Sequence, residues 1–272
     1  MTTGAWDKLS TSRISRRRAL AATGATTLAA AFAAACGGGS SNGSSSPSSE
    51  PTSGLLAKRE DTTKQAKRGG TLKLTNPADP PHFDPHLLTL PASAPTSLIF
   101  NRLLSVKPGV LQTSDGTMVP EMAESWEFSP DKTTLTMKIR PDVGTPPTQA
   151  PLNGRNLDAQ DVLYSWNRWK TLGTNRFDMV NEVNPAAPVV SMTATDARTI
   201  VVKLKEPISS ILAGFAQNIQ GQFFVMPKEA EGGFDVRRSP MGGGTYFLSE
   251  YLPSSRLVYT RNPNHYLSLI HI

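Results

Sequence analysis

Cysteine is almost missing from this 272-residue chain: Cys36 is the single one, so no internal disulfide can form and an apolar core must hold any fold together. The sequence also lacks the G-x-x-x-x-G-K-[ST] phosphate loop, the H-E-x-x-H zinc motif and the G-x-S-x-G nucleophile elbow. The common signatures of nucleotide, zinc-protease and serine-hydrolase chemistry are thereby removed. A membrane-spanning run is lacking too. The apolar stretch 19–35 is short and diluted by Thr23, Gly24, Thr26 and Thr27, whereas a comfortable span needs about 20 strongly apolar residues. No basic stripe interleaved with aromatics occurs, and the formal charge of +6 does not replace one. Residues 1–35 hold five of the 28 Lys and Arg and one of the 22 Asp and Glu; without them 23 basic residues face 21 acidic ones, a net of +2. No nucleic-acid partner is expected.

What is present begins with charge before an apolar run. Lys8, Arg13, Arg16, Arg17 and Arg18 precede the Ala-rich stretch 19–35, the order of a cleavable export signal. Ser15-Arg16-Arg17-Arg18-Ala19-Leu20 resembles a twin-arginine signal, with Ala19 in place of the usual Phe and Ala21 in place of a frequent Lys. Ala33-Ala34-Ala35 satisfies both the small-x-small cleavage rule and the tail of a lipobox, so either route starts the mature chain at Cys36. Ala33 stands where a lipobox usually has Leu, which keeps the unlipidated alternative open. Residues 37–49 are nearly all Gly and Ser; such a tract cannot bury apolar surface and serves as a tether. The expectation is a signal peptide over 1–35, a lipid-anchored flexible linker over 36–67 with its lipid on Cys36, and a mature protein tethered outside the cytoplasm at the membrane.

Ordered structure is expected from about Gly69. Residues 71–75 alternate apolar and polar between Gly70 and Pro77, which predicts a first strand. Leu98, Ile99, Leu103 and Leu104 fall at helical spacing and predict a helix over 93–106. Two segments, 126–139 and 190–204, repeat one plan: alternating apolar arms around an Asp-centred turn, hence two hairpins. Between them Asp158 can cap a helix, Asp161 adds charge to its first turn, and Val162, Trp166 and Trp169 form one stripe facing a core. A short helix is predicted over 207–215, and strands over 223–226, 246–251 and 256–260. This mixture without a regular βαβ rhythm indicates a mixed α+β or irregular α/β fold. Residues 267–272 coincide with a translated transposon-end adapter of sequencing libraries. They are expected to be foreign, with the natural chain continuing past Tyr266.

Chemistry-bearing clusters are few. His82 and His86 have metal-ligand spacing on a helix, but Pro81 and Pro85 forbid the helix, so no metal is expected. Gly242-Gly243-Gly244-Thr245 offers backbone N–H groups to an anion, yet without a strand-to-helix context a tight turn leading into the Tyr246 strand is the expected role. No cofactor and no catalytic residue are predicted.

Taken in order, four segments carry a resemblance: RGGTLKLTNPADPPHFDPH (68–86), VPEMAESWEFSPDKTTLTMKIRPDV (119–143), NGRNLDAQDVLYSWNRW (153–169) and GGGTYFLSEYLPSSRLVYTRNPNHY (242–266). In these segments the chain resembles the extracellular solute-binding proteins of family 5, the peptide and nickel binding components of ABC importers. Two departures stand out. The loop 144–151 replaces a short Lys-Phe-x-Asp-Gly link, and Gly242-Gly243-Gly244-Thr245-Tyr246 replaces Gly-Thr-Gly-Pro-Tyr. The resemblance implies a two-lobed clamp of the type II periplasmic-binding-protein kind. Residues 68–266 would form most of its first lobe, and the second lobe would lie further along. It also implies a peptide or small-molecule ligand, and ABC permease subunits with cytoplasmic ATPases as partners. Asn76 and Asp79 after the first strand, and Phe177 after the Trp-rich helix, stand where relatives touch ligand. An extracellular lipoprotein enzyme, or a sensory or chaperone-like binding lipoprotein on the same clamp, is the alternative.

Overall fold

A computed structural model describes residues 60–65, 67, 69–87, 90–109, 111–216 and 223–267, all within the compact unit Arg59–Ile272. The expected leader over 1–35, Cys36, the tether as far as residue 59 and residues 268–272 of the expected foreign tail lie outside the described residues. Among the described residues no helix is long and apolar enough to cross a membrane.

Two local hairpins build the central sheet. The elements β1 (Leu104–Val106) and β2 (Met118–Pro120) pair with each other, and the chain then enters β3 (Ala123–Phe128) and β4 (Thr134–Ile139). The β3–β4 turn is closed by Asp131, whose carboxylate accepts from Ser129 Oγ at 2.5 Å, Thr133 Oγ1 at 2.8 Å and Thr133 N at 3.1 Å. Those bonds, Ser129 first, hold its pKa down to about 2. The second hairpin, β5 (Val189–Asp196) and β6 (Thr199–Leu204), docks through β4–β6, giving one antiparallel sheet in the order β3-β4-β6-β5. The register sets Leu135 opposite Val202 and Met137 opposite Ile200. All four are fully buried. Period-2 alternation sends the intervening residues to the other face, where Lys138 Nζ donates to Thr199 Oγ1 at 2.7 Å and Lys203 Nζ to Thr134 Oγ1 at 2.9 Å.

The helices follow the same logic. The first, α1 (Leu90–Ser97), precedes β1, and the long helix α2 (Ala159–Leu172) packs against β5 and β6. Its start is a reciprocal cap: Asp158 Oδ1 accepts from Gln160 N at 2.8 Å and Asp161 N at 3.3 Å, while Asp161 Oδ2 accepts from Asp158 N at 2.8 Å. Val162, Trp166 and Trp169 are buried, as the stripe predicted. Phe223 meets both indoles edge-on, at 5.7 Å and 5.8 Å between centroids. The helix stops at Gly173, where a Cβ would lie 2.5 Å from Trp169 Cδ1, so only glycine fits under the indole. A short helix α3 (Ile211–Ala216) adds Phe215 to this aromatic cluster. The last strands among the described residues are the antiparallel pair β7 (Tyr246–Leu252) and β8 (Arg256–Arg261).

Three expectations need correction. Residues 71–75 are not a strand: Leu72 and Leu74 are each 81% exposed, and no strand among the described residues pairs with them. A strand pattern cannot form a strand without a neighbour to accept its backbone bonds. The helix predicted over 93–106 ends at Ser97, because the carbonyls of Leu98 and Ile99 accept from Tyr246 N at 3.0 Å and Gly244 N at 2.8 Å. Ile99, Leu103 and Leu104 are buried all the same, through a turn and β1. Residues 223–226 make one bridge, Val225 to Asn101, rather than a strand; all four are buried.

The glycine run 242–244 follows from the same contact. A Cβ on Gly242 would stand 2.4 Å from Ile99 O and one on Gly244 2.4 Å from Leu98 O. With the Gly244 N–H donating to Ile99 O, the run is a close-packed approach to the 98–101 segment that leads into β7.

Candidate functional site

The loop 76–87 runs across the lobe between two other elements. At its start Asn76 Nδ2 donates to Ala78 O at 2.7 Å, a bond that shapes the turn locally. Asp79 is exposed, and its Oδ2 accepts from Ser254 N at 2.6 Å and Ser254 Oγ at 3.2 Å. Ser254 sits in the β7–β8 turn at φ 57°, so this carboxylate holds a strained turn at the far end of the hairpin. Further on, Phe83 N donates to Arg237 O at 3.0 Å, and the Phe83 ring meets Tyr251 edge-on at 5.5 Å.

Behind the loop lies a buried ionic cluster. Asp84 is fully buried and grips Arg168 of α2 with both oxygens, at 2.9 Å and 2.5 Å. Arg168 Nη1 also lies 2.9 Å from His86 Nδ1, and His86 Nε2 lies 2.9 Å from Phe224 O. A carbonyl can only accept, so Nε2 carries the hydrogen and Nδ1 accepts from the guanidinium. Burial pushes the His86 pKa down to about 4; the Phe224 bond opposes this, the Arg168 charge reinforces it and Asp84 opposes it. For Asp84, burial works to raise the pKa, but the bond and charge of Arg168, with the His86 N–H, outweigh it and hold the carboxyl below its usual range. Both nitrogens of His86 are thus occupied, and His82 Nδ1 accepts from Asp84 N at 3.3 Å, so the two histidines do not converge as a metal pair.

Phe177 occupies a 3-10 turn, Arg176–Asp178, beyond α2. Its ring is 49% exposed with the Arg176 guanidinium 4.7 Å above it, and its carbonyl accepts from Asn184 Nδ2 at 2.9 Å. The structure shows no direct contact between Phe177 and Asp79. They are linked through the chain: Thr174 N donates to His86 O at 3.2 Å, which joins the loop bearing Asp79 to the turn bearing Phe177. The ionic pairing of Asp84 and His86 with Arg168 escaped the sequence reading, which weighed His86 only as a metal ligand. No local signal was available: Arg168 lies off the Val162–Trp166–Trp169 stripe of α2, and its partner Asp84 is 84 residues away.

This arrangement, an antiparallel sheet carrying a capped aromatic helix and fringed by polar loops, is part of a type II periplasmic binding protein fold. In a structure of the binding protein MoaA from A. tumefaciens R10 in complex with mannopinic acid, the superposition has a TM-score of 0.59 at 27% identity, covering 70% of this chain and 36% of that one. Residues 117–268 match the family model for bacterial extracellular solute-binding proteins, family 5 Middle, and the chain belongs to that family, whose members are substrate-binding proteins. The similar curated relatives include Di/tripeptide-binding protein 4 of Pseudomonas aeruginosa (strain UCBPP-PA14), 25% identical over 218 residues, 74% of this chain and 39% of that protein. Another is the peptide transport periplasmic protein SapA of Salmonella typhimurium, 27% identical over 164 residues, 56% of this chain and 29% of that protein. The chain therefore spans less than half the length of the relatives it matches.

Proposed function

We propose that this chain is the first-lobe portion, over 68–266, of the substrate-binding component of an ABC importer that captures peptides or similar small solutes outside the cytoplasmic membrane. The observation that carries this reading is the family match over 117–268, because it takes in the first hairpin, the capped helix and the terminal hairpin in one order. Permease subunits with cytoplasmic ATPases would receive the ligand, and the lobe itself performs no catalysis. A short peptide is the ligand class favoured, since the matched relatives include proteins named for di- and tripeptides and for peptide transport. In this reading the exposed Asp79 carboxylate offers an acceptor to a ligand ammonium, Asn76 offers an amide, and the half-open Phe177 ring packs on a peptide face. The leader over 1–35 exports the chain by the twin-arginine route, Cys36 carries lipid, and 36–67 is the tether to the membrane.

Isothermal calorimetry on the protein expressed from its complete reading frame tests the reading. Micromolar or tighter binding of di- or tripeptides is expected. This fragment alone is expected to bind none, because a clamp buries its ligand between two lobes. A complete protein that binds no member of a peptide library, or that turns peptides over, sinks the proposal. Mass spectrometry of the native N-terminus tests the anchor: an unmodified Cys36 thiol and amine would refute it.

A further inference from the structure

The Asp84–Arg168–His86 cluster sits where the two candidate ligand-facing places are tied together. Asp84 and His86 follow Asp79 on one loop, and Arg168 and Thr174 precede Phe177 on the other side. Four bonds cross between them: two from Arg168 to the Asp84 carboxylate oxygens, one from Arg168 to His86 Nδ1, and one from Thr174 N to His86 O. The loop's other anchors, Asp79 to Ser254, Phe83 N to Arg237 O and His86 Nε2 to Phe224 O, run to different parts of the fold. A buried ion pair adds little net stability over an apolar pair of the same volume; what it supplies is fixed geometry. A guanidinium held by two oxygens and a ring nitrogen has its plane and depth determined, which a single-point ammonium does not achieve.

We infer that Arg168, with Asp84 and His86, forms a positioning cluster that fixes the separation of the Asp79 loop from the Phe177 turn and thereby sets the affinity of the site for its ligand. The inference rests on the ligand-binding reading given above. A comparison with the second ion pair on the same helix separates positioning from simple scaffolding. At the other end of α2, Arg155 grips the buried Asp161 at 2.7 Å and 2.9 Å and also pairs with Glu229, away from both candidate places. Arg155→Lys is therefore the matched control for Arg168→Lys.

Both variants are made in the protein from the complete reading frame and read in two ways. Without ligand, hydrogen–deuterium exchange of 83–87 and 173–178 is expected to accelerate about tenfold or more in Arg168→Lys, with the β3–β4 hairpin unchanged; Arg155→Lys leaves all three regions as in wild type. With the dipeptide Met-Leu and with trialanine as probes, Arg168→Lys is expected to weaken affinity about tenfold or more, and Arg155→Lys less than about twofold. Should Arg168→Lys fail to fold, His86→Asn and His86→Ala replace it. Asn keeps an acceptor near the Nδ1 position and retains affinity, and Ala loses it. Wild-type exchange in Arg168→Lys, or equal effects of the two Arg variants, overturns the inference. A wild type that binds neither probe nor any other member of a peptide library overturns the ligand reading and the affinity part of the inference, and the exchange comparison alone then decides whether the cluster positions the loops.

Discussion

Acidification from neutral pH toward pH 4 is expected to destabilise this fold chiefly through His86. The ring is 1% exposed, and burial first, then the Arg168 charge, lowers its pKa from 6.5 to about 4 against the opposing pull of the Phe224 carbonyl and Asp84. In the unfolded chain the same side chain takes up its proton near pH 6.5. Between the two values the unfolded state binds more protons, so stability falls as pH falls. The contribution is complete above 6.5 and gone below about 4. At about 1.36 kcal/mol per pH unit the interval amounts to about 3 kcal/mol, a large fraction of the 5–15 kcal/mol typical of a folded domain. Neighbouring groups do not cancel it. His265, lowered by its own burial, acts in the same direction, and Asp84 acts only beneath its ordinary 3.8. Glu121, raised by burial against the pull of Arg102, acts the opposite way above 4.5 but is common to wild type and variant. Urea unfolding followed by circular dichroism at about pH 7 and about pH 4.5, on wild type and His86→Gln, gives the comparison. Wild type is expected to lose about 2–3 kcal/mol more than the variant across that step. Equal losses in the two proteins would refute the assignment of this pH dependence to His86.

Other perturbations report on the scaffold. Trp169→Ala empties a fully buried site at the centre of the aromatic cluster and should cost about 3–5 kcal/mol, seen as a lowered urea midpoint at unchanged slope. Asp158→Ala removes an acceptor for two amides at the start of α2 and should cost about 1 kcal/mol by the same measurement. Gly244→Ala would set a methyl 2.4 Å from Leu98 O and 2.5 Å from Ile99 O. Backbone must then move, so a loss of about 1–3 kcal/mol is expected, whereas Gly232→Ala, with nothing within 4 Å but a φ of +94°, tests the cost of backbone conformation alone.

The elements that were legible in the sequence are those whose determinants lie close together. The 126–139 and 190–204 hairpins carry their turn chemistry in four residues and their inward faces in period 2, and Asp158, Asp161 and the Val162–Trp166–Trp169 stripe announce the helix within a dozen. The two hairpins' union through β4 and β6 was not legible, because nothing local chooses a partner strand. Leu98 to Leu104 kept helical spacing and lost the helix, since backbone donors of Gly244 and Tyr246, far along the chain, capture the carbonyls a helix would have used. At the candidate site, loop position was readable from Pro77, Pro80 and Pro81, but the tie of Asp79 to Ser254 spans 175 residues and that of Asp84 to Arg168 spans 84. Such pairings are properties of the folded surface, and single-chain periodicity carries no trace of them.

The bare pair Leu72 and Leu74 has a practical consequence for anyone handling this chain. With only Lys73 between them and threonines at both ends, residues 71–75 combine β-forming side chains, a single charge and no proline. That is the make-up by which one molecule offers itself as a template to another. Concentrated preparations of the 272-residue chain are therefore expected to self-associate through this stretch, and size-exclusion chromatography over a concentration series of the wild type beside Leu72→Lys checks it.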